Sequence, residues 1–410
     1  MGILDEVFKK IDGYREEMIE VQNNLTKIPA LGPESGGDGE YEKSLYIKKI
    51  LEGMGVTIIE VNAEDTRVSS GIRPNIIGIQ KGVNQERTVW IMTHIDVVPP
   101  GELSLWKSDP YSLWQEEGKI FGRGVEDNHQ DMVASLFALK SLLDIGAQPP
   151  CNIGLIFVSD EETGSKYGIE HLLTQRKDLF GTQDIYLVPD GGNEDGTMIE
   201  IAEKGILWLK FHTTGKQTHG SRPEKGINSF KAASHLIVKL NSLYNTFHYK
   251  DPIFSPPVST FEPTKKESNV PNVNTIPGDD VFYMDSRVLP CYALEDVEAE
   301  MKRLVKDVEQ EFKVHVEISR IQYQPACPPT KEDATVVRLL KGAIQKTYGK
   351  DAEVMGIGGG TVAAFFRKRG FPVAVWSRID TTAHAPNEYC IIENMIGDCK
   401  VFAHILLSAS

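Results

Sequence analysis

The chain has 410 residues, 40% of them hydrophobic and 25% charged, proportions of an ordinary globular protein with two or three domains. A formal net charge of −14 argues against nucleic acid and anionic membranes as partners. Five cysteines, Cys151, Cys291, Cys327, Cys390 and Cys399, show no C-x-x-C spacing, which excludes a cysteine metal site and fits a reducing compartment. The first residues are not a basic-then-apolar leader, and no run reaches the roughly 20 apolar residues of a membrane span, so a cytoplasmic protein is expected.

Residues 3–25 carry apolar side chains at helical spacing and predict a surface helix. Residues 88–93 are apolar and β-branched, predict a buried strand, and end in His94-Ile95-Asp96. Alternating side chains would put His94 and Asp96 on one face, so Asp96 could orient a metal-ligating His94. A solvated loop after a strand is the plain alternative. The pair gains weight because three more apolar runs end in polar clusters. Residues 152–159 lead into Asp160-Glu161-Glu162-Thr163-Gly164, and 184–188 lead into Pro189-Asp190-Gly191-Gly192. Residues 371–376 lead, after a polar loop, into Ala383-His384-Ala385-Pro386-Asn387-Glu388. Between the first two runs, Gly122-Arg123-Gly124-Val125-Glu126-Asp127 precedes a helix expected over 131–145, where Asp127 could bridge two cations. Strands alternating with helices predict a mostly parallel sheet covered on both faces, with its site at the strands' carboxyl ends.

From about residue 201 the pattern changes. Strands expected at 205–211, near 259–261, at 280–288 and at 314–318, with helices over 227–244 and 294–312, spell β-α-β-β-α-β, a ferredoxin-like plait. Pro325, Pro328 and Pro329 mark the return, and a helix over 333–348 precedes the last strand. The expected organisation is a catalytic domain in two parts, 1–200 and 323–410, with an inserted α+β lid or dimerisation domain over 201–322.

The set His94-x-Asp96, Gly122-Arg123-Gly124-x-x-Asp127, Asp160-Glu161-Glu162-Thr163-Gly164-Ser165, Asp190 and Ala383-His384-Ala385-Pro386-Asn387-Glu388 resembles the M20 family of metallopeptidases. That family holds deacetylases, desuccinylases, aminoacylases and dipeptidases. The resemblance covers nearly the whole chain and implies a zinc-peptidase-like α/β fold. It implies two divalent ions, zinc or else cobalt or manganese. His94 and Asp190 would hold one ion, Glu162 and His384 the other, and Asp127 both. A hydroxide between the ions would attack an amide, with Glu161 as general base and Asp96 orienting His94. His219, in Thr218-His219-Gly220-Ser221-Arg222-Pro223, resembles the lid histidine that polarises the scissile carbonyl, often in a partner subunit. Arg287 and Asn274 would bind a substrate with a free carboxylate, and Gly359, Gly360 and Thr361 would form a glycine-rich substrate loop.

The implied activity is cleavage of a dipeptide or N-acyl amino acid by a homodimer joined through the inserted domain. A cocatalytic zinc aminopeptidase on longer peptides and a catalytically inactive metal-binding relative are the competing readings. Two departures from the family pattern stand out. Asn128-His129-Gln130-Asp131 follows Asp127, with His129 read as polarity in the first helical turn, and Val362-Ala363 follows Thr361. His171, His212, His235, His248, His315 and His404 show no pairing pattern.

Overall fold

The computed structural model describes residues 2–409. The chain divides into two compact units: 1–201 with 330–354 and 365–410, and 202–329 with 355–364.

The first unit is built on an eight-stranded sheet. Its order is Thr57–Glu60, Ile76–Gln80, Cys151–Val158, Asn84–His94, Ile185–Gly192, Val373–Ser377, Met198–Glu203 and Glu353–Ile357. The four middle strands, from Cys151–Val158 to Val373–Ser377, run parallel. Their side chains are buried on both faces, Val89 to Met92 and Ile153 to Val158 among them. That is why they appear in sequence as unbroken apolar runs. The sheet is mixed rather than uniformly parallel, because Thr57–Glu60 and Ile76–Gln80 on one side and Met198–Glu203 on the other pair antiparallel. The helix expected over 3–25 is two helices, Ile3–Asp12 and Arg15–Thr26, broken at Gly13. The His129–Asp144 helix is buried along nearly its whole length, between the Ile392–Ser408 helix, the two N-terminal helices and the sheet strands Asn84–His94 and Cys151–Val158.

Parallel strands put their carboxyl ends at one edge. There the chain leaves His94, turns at Asp160, and enters the 378–388 loop. Asp190 does not sit in a turn: its strand continues to Gly192. A side chain at Gly192 would place its Cβ 1.8 Å from the Ser377 carbonyl oxygen, so only glycine lets the two strands run on together.

The second unit has the β-α-β-β-α-β order expected from its sequence. Its antiparallel sheet runs Thr260–Lys266, Asp279–Val288, Gly205–Thr214, His315–Gln324. Helices Ser229–Leu240 and Leu294–Phe312 supply Leu236, Leu240, Val297, Met301 and Leu304 to a core with Phe211, Phe261 and Phe282 from the strands. The glycine stretch 355–364 belongs to this unit because its backbone is bonded here. Lys204 N–H donates to Ile357 O at 3.0 Å, and Gly356 N–H to Ile253 O at 2.7 Å. Among the described residues no helix is long and apolar enough to cross a membrane.

Candidate metal centre

Asp127 is the hub of the strand-end cluster. Its Oδ1 lies 2.8 Å from His94 Nε2 and its Oδ2 lies 3.2 Å from His384 Nε2. His94 Nε2 is also 3.5 Å from Asp190 Oδ1, and His384 Nε2 is 3.2 Å from Glu162. Donor atoms of His94, Asp127 and Glu162 converge closely enough to share an ion, as do those of His94, Glu161 and Asp190. The five expected ligands and the expected base therefore lie in one place.

The electrostatics of the cluster are those of a cation site. Burial, then the neighbouring charge of Asp190, drives the Glu161 carboxyl well above its ordinary pKa. Burial also raises Asp190 and Glu162. Burial acts against ionisation of Asp127 as well, but hydrogen bonds from His384 and His94 outweigh it and hold this group low. Hydrogen bonds to Asp127 and then Glu162 push His384 up to about 10. Four carboxylates withdrawn from water stabilise positive charge wherever it can be placed. Imidazole and carboxylate donors of this kind suit zinc and similar divalent ions, so the residues present fit the implied metal pair.

Asp96 acts differently from the sequence expectation. The strand ends at His94, so alternation does not carry on to Asp96. The atom 2.9 Å from His94 Nδ1 is the Asp96 backbone carbonyl, while the carboxylate stands 3.6 Å away. The carboxylate instead accepts the backbone N–H groups of Glu161 at 3.1 Å and Glu162 at 3.0 Å. Asp160, in a left-handed conformation (φ 64°), accepts the Tyr167 N–H at 2.9 Å, and its own N–H donates to buried Glu40. The turn that presents Glu161 and Glu162 is thus held by the carboxylates of Asp96 and Asp160.

In the second unit, Thr218–His219 pairs with Thr275–Ile276 in a two-stranded ribbon that sequence pattern did not reveal. It sets His219 beside Asn274, whose carbonyl accepts the Gly220 N–H at 2.7 Å. The Ser221 hydroxyl and backbone N–H face His219 Nδ1 at 2.8 and 3.2 Å. Since a backbone N–H can only donate, neutral His219 carries its proton on Nε2. Arg287 does not present a free fork. Asp285 takes two of its donors at 2.7 and 3.0 Å, and the Gly358 carbonyl takes a third at 3.0 Å. At Thr361 the anion is internal: its backbone N–H donates to Glu203 Oε1 at 3.0 Å, and its hydroxyl donates to the same oxygen. Gly359 and Gly360 flank that contact, and a Cβ at Gly360 would meet Gln324 Nε2 at 3.1 Å.

Residues 90–408 match the family model described as peptidase family M20/M25/M40. The chain belongs to this family. It is accordingly a metal-dependent hydrolase, in a family that uses divalent ions. An uncharacterised metallohydrolase of Methanococcus maripaludis is 41% identical over 410 residues, covering 95% of this M20 chain and 99% of the relative. A succinyl-diaminopimelate desuccinylase of Nautilia profundicola is 25% identical over 391 residues, covering 95% and 98%. The crystal structure of human carnosine dipeptidase 1 shares the fold with a TM-score of 0.74 at 19% identity, over 99% and 98% of the two chains.

Several residues of this M20 centre were invisible to spacing arguments. His129 does begin its helix, but it is fully buried rather than solvated, with Nε2 2.8 Å from the buried Lys43 Nζ. Burial lowers the Lys43 amine to about 7. Asn128 donates to the Pro189 carbonyl at 2.6 Å and to Asp190 Oδ1 at 3.3 Å, tying the Asp127 loop to the Asp190 strand. A polar residue directly after a ligand was the only available signal.

Proposed function

We propose that this chain is a dimetal amidohydrolase, with zinc as the working ion, that cleaves the amide bond of a dipeptide or N-acyl amino acid. The observation that carries the reading is Asp127, whose two oxygens face His94 and His384 within a ring of further carboxylates. His94 and Asp190 would hold one ion, Glu162 and His384 the other, and Asp127 both. A bound pair supplies charge neutralisation and Lewis-acid polarisation of the scissile carbonyl.

The chain's own residues do the rest. Glu161, buried and crowded by Asp190 and Glu162, has the raised basicity needed to take a proton from the attacking water and pass it to the leaving nitrogen. His219 donates from Nε2 to the oxygen that gains charge. Asn274, neighbour of His219, and the Gly359–Gly360–Thr361 loop with Arg287 are the proposed substrate contacts. The same reading makes the protein a cytoplasmic homodimer joined through the second unit.

The test is Glu161→Gln. The variant is expected to retain its metal while turnover on a panel of dipeptides and N-acyl amino acids falls about 10²–10⁴-fold. Parental activity, or loss of the metal, would show that Glu161 is not the base.

A further inference from the structure

Two loops supply the residues that meet across the metal centre, and each ends in a buried glutamate whose hydrogen bonds go to the opposite loop's backbone, Thr382 and Arg123. Glu126 stands immediately before Asp127, and Glu388 closes the loop that carries His384. The two glutamates lie 262 residues apart in the chain and are 3% and 0% exposed. Glu388 Oε1 accepts the backbone N–H groups of Glu126 at 2.9 Å and Asp127 at 3.1 Å. Its Oε2 accepts Gly124 N–H at 3.0 Å and the Arg123 guanidinium at 2.6 Å. Glu126 does the same in return. Its Oε1 accepts Asp380 N–H at 2.8 Å, and its Oε2 accepts Ala383 N–H and the Thr382 hydroxyl, both at 2.9 Å, with Thr382 N–H as a further donor. Each loop is therefore organised by a carboxylate belonging to the other.

The need for such a brace is visible in the His384 loop. Thr381, His384 and Asn387 have φ of 57°, 65° and 57°, a left-handed region that side-chain-bearing residues avoid. The loop forms no helix or strand between Ser377 and Tyr389 that would enforce those angles. The N–H groups of Asp380, Thr382 and Ala383 converging on Glu126 hold its first part, while the Arg123 guanidinium, itself paired with Glu388, reaches the His384 and Ala385 carbonyls at 3.4 Å and the Asn387 amide bonds Lys107 N–H and Leu105 O. In the opposite loop Gly124 turns at φ 85°, and its N–H is held by Glu388.

We propose that Glu126 and Glu388 are positioning residues that form a reciprocal clamp. It sets the separation of Asp127 and His384 and thereby the affinity of the metal pair. Glu126 governs the ion held by His384. Glu388, acting through the Asp127 backbone, governs both ions. The proposal rests on the dimetal reading above.

Glutamine is the sharpest probe, because it keeps the shape and one acceptor oxygen but turns the other into a donor facing N–H groups. Apo forms of the parent, Glu126→Gln, Glu388→Gln and the double variant are titrated with Zn²⁺ against a chromophoric chelator. Circular dichroism and thermal unfolding of each apo form report the fold. The parent is expected to take up two ions. Glu126→Gln should weaken one site about 10–100-fold and leave the other at its parental affinity. Glu388→Gln should weaken both sites. The double variant should lose less than the product of the single effects, because both changes break one interface. If the glutamine variants do not fold, Thr382→Val removes the hydroxyl bond into Glu126, together with the hydroxyl's contacts to the Tyr389 carbonyl and N–H, but leaves the three backbone N–H groups on Glu126, and should weaken the same single site. Parental affinities at both sites in every folded variant, or equal weakening of both sites in the Glu126 or Thr382 variant, overturn the clamp. A parent chain that takes up no Zn²⁺ overturns the dimetal reading, and the clamp with it.

Discussion

Replacing Asp96 by Asn separates two accounts of how the centre is organised. If the Asp96 carboxylate orients His94, as strand alternation suggests, the variant should lose affinity for the ion held by His94. The structure gives a different expectation. His94 Nδ1 is served by the Asp96 backbone carbonyl, which the substitution leaves in place. What changes is the bond pair to the Glu161 and Glu162 N–H groups. Asparagine keeps one acceptor and turns a donor toward the second N–H, so one charge-assisted bond at a 2% exposed site is lost. Such bonds contribute about 1.5–3 kcal/mol. If the whole loss appears as misplacement of Glu161 in the transition state, kcat falls about 10–160-fold. The assay pairs kcat on a dipeptide or N-acyl amino acid with metal stoichiometry and the ¹⁵N shifts of His94. The expected result is a lower kcat, two retained ions and an unchanged His94 tautomer. A shifted His94 tautomer with kcat intact would refute the reasoning.

Ser221→Ala removes the hydroxyl on His219 Nδ1 but leaves the backbone N–H. Losing one neutral hydrogen bond, about 0.5–1.5 kcal/mol, should lower kcat about 2–12-fold. Ser221→Thr should restore it, and the His219 ¹⁵N shifts should report the weakened tautomer preference. Subunit exchange between inactive Glu161→Gln and His219→Ala chains tests action across a dimer. Random exchange makes half the molecules mixed and repairs one of two sites in each, so recovery to about a quarter of parental activity is expected, and no recovery despite confirmed exchange rules out action in trans. Away from the metal centre, burial raises the Asp398 carboxyl from 3.8 to about 7, against hydrogen bonds from Tyr348 and Arg378 N–H. A carboxyl whose folded pKa is raised binds its proton more tightly in the folded state. Its contribution is complete below 3.8 and is lost as pH climbs through about 7. Asp398→Asn should therefore flatten the decline of unfolding free energy over that window, and an unchanged slope in denaturant titrations would remove Asp398 as its source.

The contrast between what the sequence disclosed and what it concealed has a physical pattern. Central strands buried on both faces leave unbroken apolar runs, so their carboxyl ends, and with them His94, Glu161, Glu162 and the His384 loop, could be located without a structure. The Leu294–Phe312 helix was equally legible, because its buried residues Val297, Met301, Leu304, Val305 and Val308 repeat at helical spacing. Periodicity records which face a side chain occupies. It does not record which distant segment lies opposite. Asp96 was expected to serve its neighbour two positions back; its carboxylate stands 3.6 Å from His94 Nδ1, and its hydrogen bonds come from N–H groups 65 and 66 residues away. Thr361, expected in a substrate loop, donates to Glu203, 158 residues earlier, a partner that its sequence neighbourhood does not reveal. In both cases the residue type was informative, since a buried carboxylate needs donors and a glycine-rich turn offers them. The partner was chosen by topology. Parallel strands join chain-distant loops at one edge of the sheet, and polar groups in those loops satisfy one another before any ligand arrives. The residues that bind ions can be recognised by their own chemistry, whereas those that hold the binders in place, Glu126 and Glu388 above all, are recognisable only once the loops they connect have met.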